Sequence, residues 1–276
     1  MKKLRRLPAV MIAVLVLLSA TAGCMKEKDP LDVKNGAGLP AGKDAKELYE
    51  EAVKRLEEQA ALDYTLDIGI SHEDGGETDT IDMKYDIQSE MTDGKLSKMV
   101  MQGNYVTSGT QGYGMEVYLL DEYFYLNVAG MKIKLKTTDL EDLAGIVDVP
   151  VQEPFEADVF TKMTAEEKDG STVIRFTADG ARILEEIEGT MGSVSFTTGG
   201  ENAFEGITFG EVEGSVTISK DGDLAETALT LPMSVEQETA VITYHIVYRN
   251  PGEPVTFEFP DFNGYYDYTG YITGVN

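Results

Sequence analysis

The sequence predicts an α+β fold in which a strongly curved antiparallel sheet carries helices packed on its concave side. Three observations carry that prediction. From Asp63 onward, apolar residues recur with a period of two through long runs separated by turn pairs such as Asp93-Gly94 and Ala129-Gly130. A single helical pattern precedes these runs, and a helical crossover with Pro150 and Pro154 divides them into two groups. In the run Met131-Lys132-Ile133-Lys134-Leu135-Lys136 every apolar side chain falls on one face and every lysine on the other. One side of that strand is expected to meet a core or cavity and the other water.

The elements begin with a targeting segment. Lys2, Lys3, Arg5 and Arg6 precede an apolar run from Ala9 to Leu18, too short to span a bilayer comfortably. Small residues then lead to Cys24, the one cysteine in the chain. Thr21-Ala22-Gly23-Cys24 resembles the lipobox of bacterial lipoprotein signal peptides, with Thr21 where that family usually has Leu. The resemblance implies a signal peptide over 1–23 and a lipidated Cys24 carrying diacylglycerol, whose two acyl chains suffice for stable anchoring. A lone free thiol has no disulfide partner in an oxidising exterior, which fits acylation, although an ordinary secretory signal with an incidental cysteine is the alternative. The expected location is the cell membrane, lipid-anchored on the extracytoplasmic face.

Without residues 1–23 the chain keeps 19 Lys and Arg against 49 Asp and Glu, a formal charge of −30. Such a surface repels nucleic acid and anionic headgroups, so no nucleic-acid partner is expected. Residues 24–43 hold Pro30, Pro40, Gly36, Gly38 and Gly42 among charges and read as a flexible tether. Asp44 and Glu47 form a capping-box signature, and Leu48, Tyr49, Ala52, Val53, Leu56 and Ala60 recur at helical spacing, predicting a helix over 45–61.

Strands are expected at about 64–72, 79–91, 95–106, 113–120, 123–128 and 131–136. Thr138 would cap a short helix over 139–147. Strands near 159–167 and 171–178 flank Asp169-Gly170, and Asp179 caps a helix bearing Ile183, Leu184 and Ile187. The glycines of 188–206 predict a mobile loop. Three long strands at about 207–219, 224–236 and 239–250 follow, turning at Asp221-Gly222, and a tyrosine-rich tail closes the chain as a last edge strand or a disordered segment.

The runs Tyr118-Leu-Leu-Asp-Glu-Tyr-Phe-Tyr-Leu-Asn-Val-Ala-Gly-Met-Lys-Ile-Lys-Leu-Lys136 and Val255-Thr-Phe-Glu-Phe-Pro-Asp-Phe262 resemble those of Gram-positive lipoproteins related to the LolA-like lipoprotein-carrier superfamily. The resemblance covers residues 44–262 in pattern, leaving 263–276 as a tail. It implies an incomplete β-barrel with helices plugging the opening.

No catalytic site is expected. Gly-x-Ser-x-Gly, Walker-type, Cys-x-x-Cys and His-Glu-x-x-His patterns are all missing, and His72 and His245 stand in no metal motif. His72 reads as a solvated turn residue and His245 as packed or half-exposed. Glu73, Asp74, Glu77, Asp79 and Asp82 crowd one hairpin without EF-hand spacing, so solvent-facing turns are expected there and no metal or other cofactor.

Methionines on strand faces either line an adaptable cavity or fill a core. Two readings follow. In the first, alternate strand residues Met99, Met101, Val117, Leu119, Ile133 and Leu135 line an apolar cavity for a hydrophobic ligand, a lipid or lipidated molecule, and no reaction takes place. In the second, the interior is packed core and the acidic surface or tyrosine tail meets an envelope partner, which the sequence leaves unidentified.

Overall fold

The structure, a computed structural model, describes residues 32–35, 43–74, 77–92, 95–108, 112–137, 155, 157–184, 197–198, 201–202, 207–235, 238–249, 251 and 253–268. Helix α1 spans Ala45–Glu57. Its start is fixed by the expected capping box: Glu47 N–H donates to Asp44 Oδ1 at 2.9 Å, and Asp44 N–H donates to Glu47 Oε2 at 3.1 Å. The apolar stripe buries Ala45, Leu48, Tyr49, Ala52 and Leu56. A second helix, α2, begins at Gly180, where Ala181 N–H donates to Asp179 Oδ1 at 2.8 Å. Its Ile183 is fully buried.

Strands β1 (Asp32–Asn35), β2 (Ala61–Asp74), β3 (Glu77–Thr92), β4 (Lys95–Thr107), β5 (Tyr113–Leu120), β6 (Tyr123–Val128) and β7 (Met131–Lys136) form the first group. The second comprises β8 (Phe160–Lys168), β9 (Ser171–Ala178), β10 (Thr197–Thr198), β11 (Glu201–Asn202), β12 (Ile207–Phe209), β13 (Val212–Ile218), β14 (Leu224–Val235), β15 (Glu238–Tyr248) and β16 (Tyr266–Asp267). All but the β10–β11 hairpin join one unclosed, curved sheet in the order β1-β8-β9-β13-β14-β15-β2-β3-β4-β5-β6-β7-β16, with β12 beside β14. Neighbours are antiparallel except at the edges, where β1 lies parallel to β8 and β16 parallel to β7. Short segments from the two ends of the chain therefore cover the two edges, which blunts them against pairing with other chains.

Two-residue turns set the register. Asp121-Glu122, Ala129-Gly130 and Asp169-Gly170 all take positive φ, as the twist-matched hairpin turn requires. The junction between the two strand groups is long-range: β15 pairs with β2 from Ala240↔His72 to Tyr248↔Tyr64. Across β8, β9, β13, β14, β15, β2 and β3 the inner face packs against α1 as one core, in which Tyr49 meets Phe160 edge-on at 5.2 Å and donates its hydroxyl to Phe155 O at 2.6 Å.

Several expectations need revision. The helix ends at Glu57 rather than 61, and the tether contains β1. The strand expected over 207–219 is interrupted at 210–211, where β12 passes to β13. His72 is buried, not a solvated turn residue, because β2 runs on to Asp74 and His72 keeps the inward phase of Ile68 and Ile70. Its Nδ1–H donates to Thr239 O at 2.9 Å. Cys24, the helix expected over 139–147, and the loop over 188–206 apart from β10 and β11, lie outside the described residues. Among the described residues no helix is long and apolar enough to cross a membrane.

Candidate functional site

Pairing registers turn the alternation of β4 to β7 into two straight apolar rows. Met101 lies opposite Val117, Val117 opposite Leu126, and Leu126 opposite Ile133. Beside it, Met99 lies opposite Leu119, Leu119 opposite Phe124, and Phe124 opposite Leu135. Ile87 of β3 faces Met101, so these rows share the face on which α1 packs farther along the sheet. All six sequence-derived cavity residues, Met99, Met101, Val117, Leu119, Ile133 and Leu135, stand in these two rows.

Phe124 and Leu126 complete the rows and were not singled out from the sequence. In Tyr123-Phe124-Tyr125-Leu126 every side chain is largely apolar, so the alternation that marks β7 cannot be seen there. Every inward position of β5, β6 and β7 is apolar: Tyr113, Met115, Val117 and Leu119, then Phe124, Leu126 and Val128, then Met131, Ile133 and Leu135. Val117, Leu119, Phe124 and Leu135 form a buried cluster of their own, separate from the α1 core. A third row, Tyr85-Gly103-Met115-Val128-Met131, leads out of it. Gly103 is required here, since a Cβ would overlap the Tyr85 ring and the β3 backbone. Accessibility grows along this direction, from 3 % at Leu119 to 63 % at Met131.

The opposite face of the same strands has a different cover. After β15 the chain crosses as an irregular strap over 253–268, which lays Phe257, Phe259, Phe262 and Tyr265 against the outer side chains of β4 to β7. Phe262 stacks on Tyr125 with centroids 3.7 Å apart, and Phe262 and Phe259 both lean on Tyr118. The lysine face of β7 thus meets more than water: Lys134 Nζ lies 3.9 Å from the Tyr123 ring centroid and 3.6 Å from an Asp267 carboxylate oxygen, and Lys132 sits over Tyr265. Burial pushes the hydroxyls of Tyr118, beneath the strap, and Tyr265, within it, up from the ordinary tyrosine range.

The titratable groups elsewhere do not converge. His245 lies on the outer face with Nε2 2.7 Å from Glu226 Oε1, far from the inward-facing His72 in chain and face alike. Among the described residues no group of three or more His, Cys, Asp and Glu is placed to hold a metal.

This chain forms an open, curved sheet with helices on its concave side. Its structural neighbours include the lipoprotein LppX of Mycobacterium tuberculosis, at 10 % identity and a TM-score of 0.39, covering 76 % of this chain and 96 % of that one. They also include a putative outer membrane lipoprotein-sorting protein domain from Vibrio parahaemolyticus, at 11 % identity and a TM-score of 0.28, covering 79 % and 95 %. A third is a LolA superfamily protein from Nitrosomonas europaea, at 11 % identity and a TM-score of 0.25, covering 78 % and 94 %. No family profile and no curated protein matches the sequence.

Proposed function

We propose that this protein is an extracytoplasmic lipoprotein, anchored to the cell membrane through a lipidated Cys24, that binds a hydrophobic ligand along the inner face of β4 to β7 without chemical turnover. One observation carries the reading: ten consecutive inward positions on β5, β6 and β7 hold no charged or amide side chain, and their accessibility rises steadily toward one end of the sheet. A lipid or lipidated molecule is the matching ligand class, because acyl chains gain from apolar burial and need no polar partner. Met99, Met101 and Met115 add unbranched, polarizable side chains that adapt to chains of different length. Anchoring through Cys24 is supported by the basic, apolar and small-residue sequence of the first 24 residues.

Every described strand and helix lies within 32–268, so the chain from Met25 to Asn276 contains the whole described fold. Native mass spectrometry of that chain, expressed in lipid-containing cells and purified without detergent, is expected to reveal a discrete added mass that extraction resolves into an acyl lipid. A clean unliganded mass that does not change on adding lipid overturns the ligand site and leaves the inner rows as packed core.

A further inference from the structure

We propose that the Ser89 hydroxyl, at the β3 end of the inner rows, selects the ligand: an uncharged chain lipid whose alcohol or ester oxygen hydrogen-bonds to Ser89 while its hydrocarbon lies along Met99, Leu119, Phe124 and Leu135. The inference rests on the ligand-binding reading and gives that site a polar anchor and a ligand class. Among the described residues two polar side chains are buried, His72 and Ser89. His72 donates to Thr239 O, whereas Ser89, 2 % exposed, has no hydrogen-bond partner for its Oγ among the described residues. A buried hydroxyl without a partner forfeits its hydrogen bonds to water, so its place in a fold calls for a reason.

Register gives the hydroxyl its direction. Ser89 lies opposite Met99 on β4 and shares the inward phase of Met83, Tyr85 and Ile87, so it heads the row that continues through Leu119, Phe124 and Leu135. On its other side it faces Leu62 of β2, which belongs to the α1 core. Ser89 therefore stands where the helix-filled core gives way to the inner rows. From β3 to β7 the row crosses four strand spacings, about 19 Å, a length that suits an extended acyl chain. Met99, next to Ser89 in the row, is the unbranched side chain best able to move aside for that chain.

Chemistry narrows the class. A serine hydroxyl donates one hydrogen bond, which an ester carbonyl or an alcohol oxygen accepts. An ionised carboxylate or phosphate is a poor match. The inward positions from Met83 to Ser89 on β3 and from Met99 to Tyr105 on β4 carry no cation, nor do those of β5 to β7, and one neutral donor does not offset the desolvation of a charge. A bare hydrocarbon would leave the hydroxyl unpaired.

The test measures binding of radiolabelled dodecan-1-ol, dodecane and dodecanoate by equilibrium dialysis against the chain from Met25, as the unaltered sequence, as Ser89→Ala and as Leu119→Ala. Ser89→Ala is expected to weaken the alcohol about tenfold relative to the alkane, the contribution of one net hydrogen bond, and Leu119→Ala to weaken both alike. Dodecanoate at pH 8 should bind the unaltered chain less tightly than the alcohol. Without ligand, Ser89→Ala should keep or raise the urea midpoint, since it removes a hydroxyl that bonds to nothing in the fold. A lower midpoint, or failure of Ser89→Ala to fold, would make the hydroxyl a structural group and overturn the proposal. An alcohol-to-alkane ratio that Ser89→Ala leaves unchanged overturns the role of Ser89 and leaves the ligand site standing. Dodecanoate binding as tightly as the alcohol overturns the uncharged class. Binding of none of the three by the unaltered chain removes the ligand site itself.

Discussion

Helix α1 fills the concave side of the sheet along β8, β9, β13, β14, β15, β2 and β3, whereas β4 to β7 carry an aromatic strap on their convex side. The two regions share one continuous sheet but solve the same problem from opposite faces. A strand must bury at least one face to hold its place, and β2 and β3 do so inward against the helix. In β5 and β6 an outward row, Tyr118 and Tyr125, is buried or half-buried beneath Phe259, Phe262 and Tyr265, so the strands are braced from behind. Their inner rows are thereby freed from being the sole source of cohesion. That division is what the proposed ligand site on the inner rows rests on.

The largest expected effect tests that division directly. Ile174, fully buried in the α1 core, and Leu119, 3 % exposed in the inner rows, are both truncated to alanine. Each should cost about 2–5 kcal/mol of unfolding free energy in urea titration. Only Leu119→Ala should also weaken lipid uptake by the folded protein. Equal weakening by Ile174→Ala would break the comparison, because the α1 core would then be part of the binding surface.

Phe262→Ala probes the bracing. The ring is half-buried and stacked, so the expected loss is about 2–3 kcal/mol, below that of a fully buried phenylalanine. Amide exchange should accelerate in β6, β7 and β16 while α1 and β14 keep their protection. Uniform acceleration throughout the sheet would mean that the two regions open as a single unit.

How much of this was legible in the sequence follows the same boundary. The cap at Asp44, the period of two and the positive-φ turns are local signals, and they yield α1 and the strands of the meander nearly in place. The inner rows were readable where lysines alternate with apolar residues in β7 and unreadable in β6, where tyrosines blur the phase. Pairing of β15 with β2 joins residues about 175 positions apart and leaves no local trace. The strap was missed for a related reason. Val255, Phe257 and Phe259 alternate like a strand, yet Phe257 meets Lys98 and Phe259 meets Tyr118, outer side chains that look solvent-facing when read alone, and no backbone pairing announces them. Likewise β1 has four residues and an edge position, too little sequence to carry a pattern.

Alkaline pH sharpens the contrast by titration. Burial raises the hydroxyls of Tyr64 and Tyr248, whose rings lie 5.9 Å apart at the β2–β15 junction, far above the ordinary tyrosine value. A raised folded-state value means that the folded protein holds the neutral form while the unfolded chain ionises. Stability is therefore complete below the ordinary tyrosine pKa of 10 and declines as the pH rises above it. Each group that stays neutral should cost about 1 kcal/mol by roughly one pH unit above that value. Tyr64→Phe and Tyr248→Phe should each flatten the decline in denaturant midpoints measured from pH 9 to 11. Tyr118→Phe, beneath the strap, should flatten it less.

The smallest effect belongs to the first turn of α1. Asp44→Ala removes the acceptor for Glu47 N–H, and Glu47 loses its reason to fold back onto the Asp44 N–H. Both groups are near water, which replaces most of what is lost, so the expected cost is about 1 kcal/mol. The lower barrier to fraying should appear as faster amide exchange at Lys46, Glu47 and Leu48, with no change in β5 to β7. Asp44→Ser keeps a capping oxygen and should restore most of the stability. Lipid uptake should be the same in all three proteins, since α1 fills the concave side of the other region and contributes no side chain to the inner rows. If Asp44→Ala weakened uptake while Asp44→Ser restored it, the helix would be coupled to the binding face through the shared strands β2 and β3, and the two regions would have to be treated as one cooperative site.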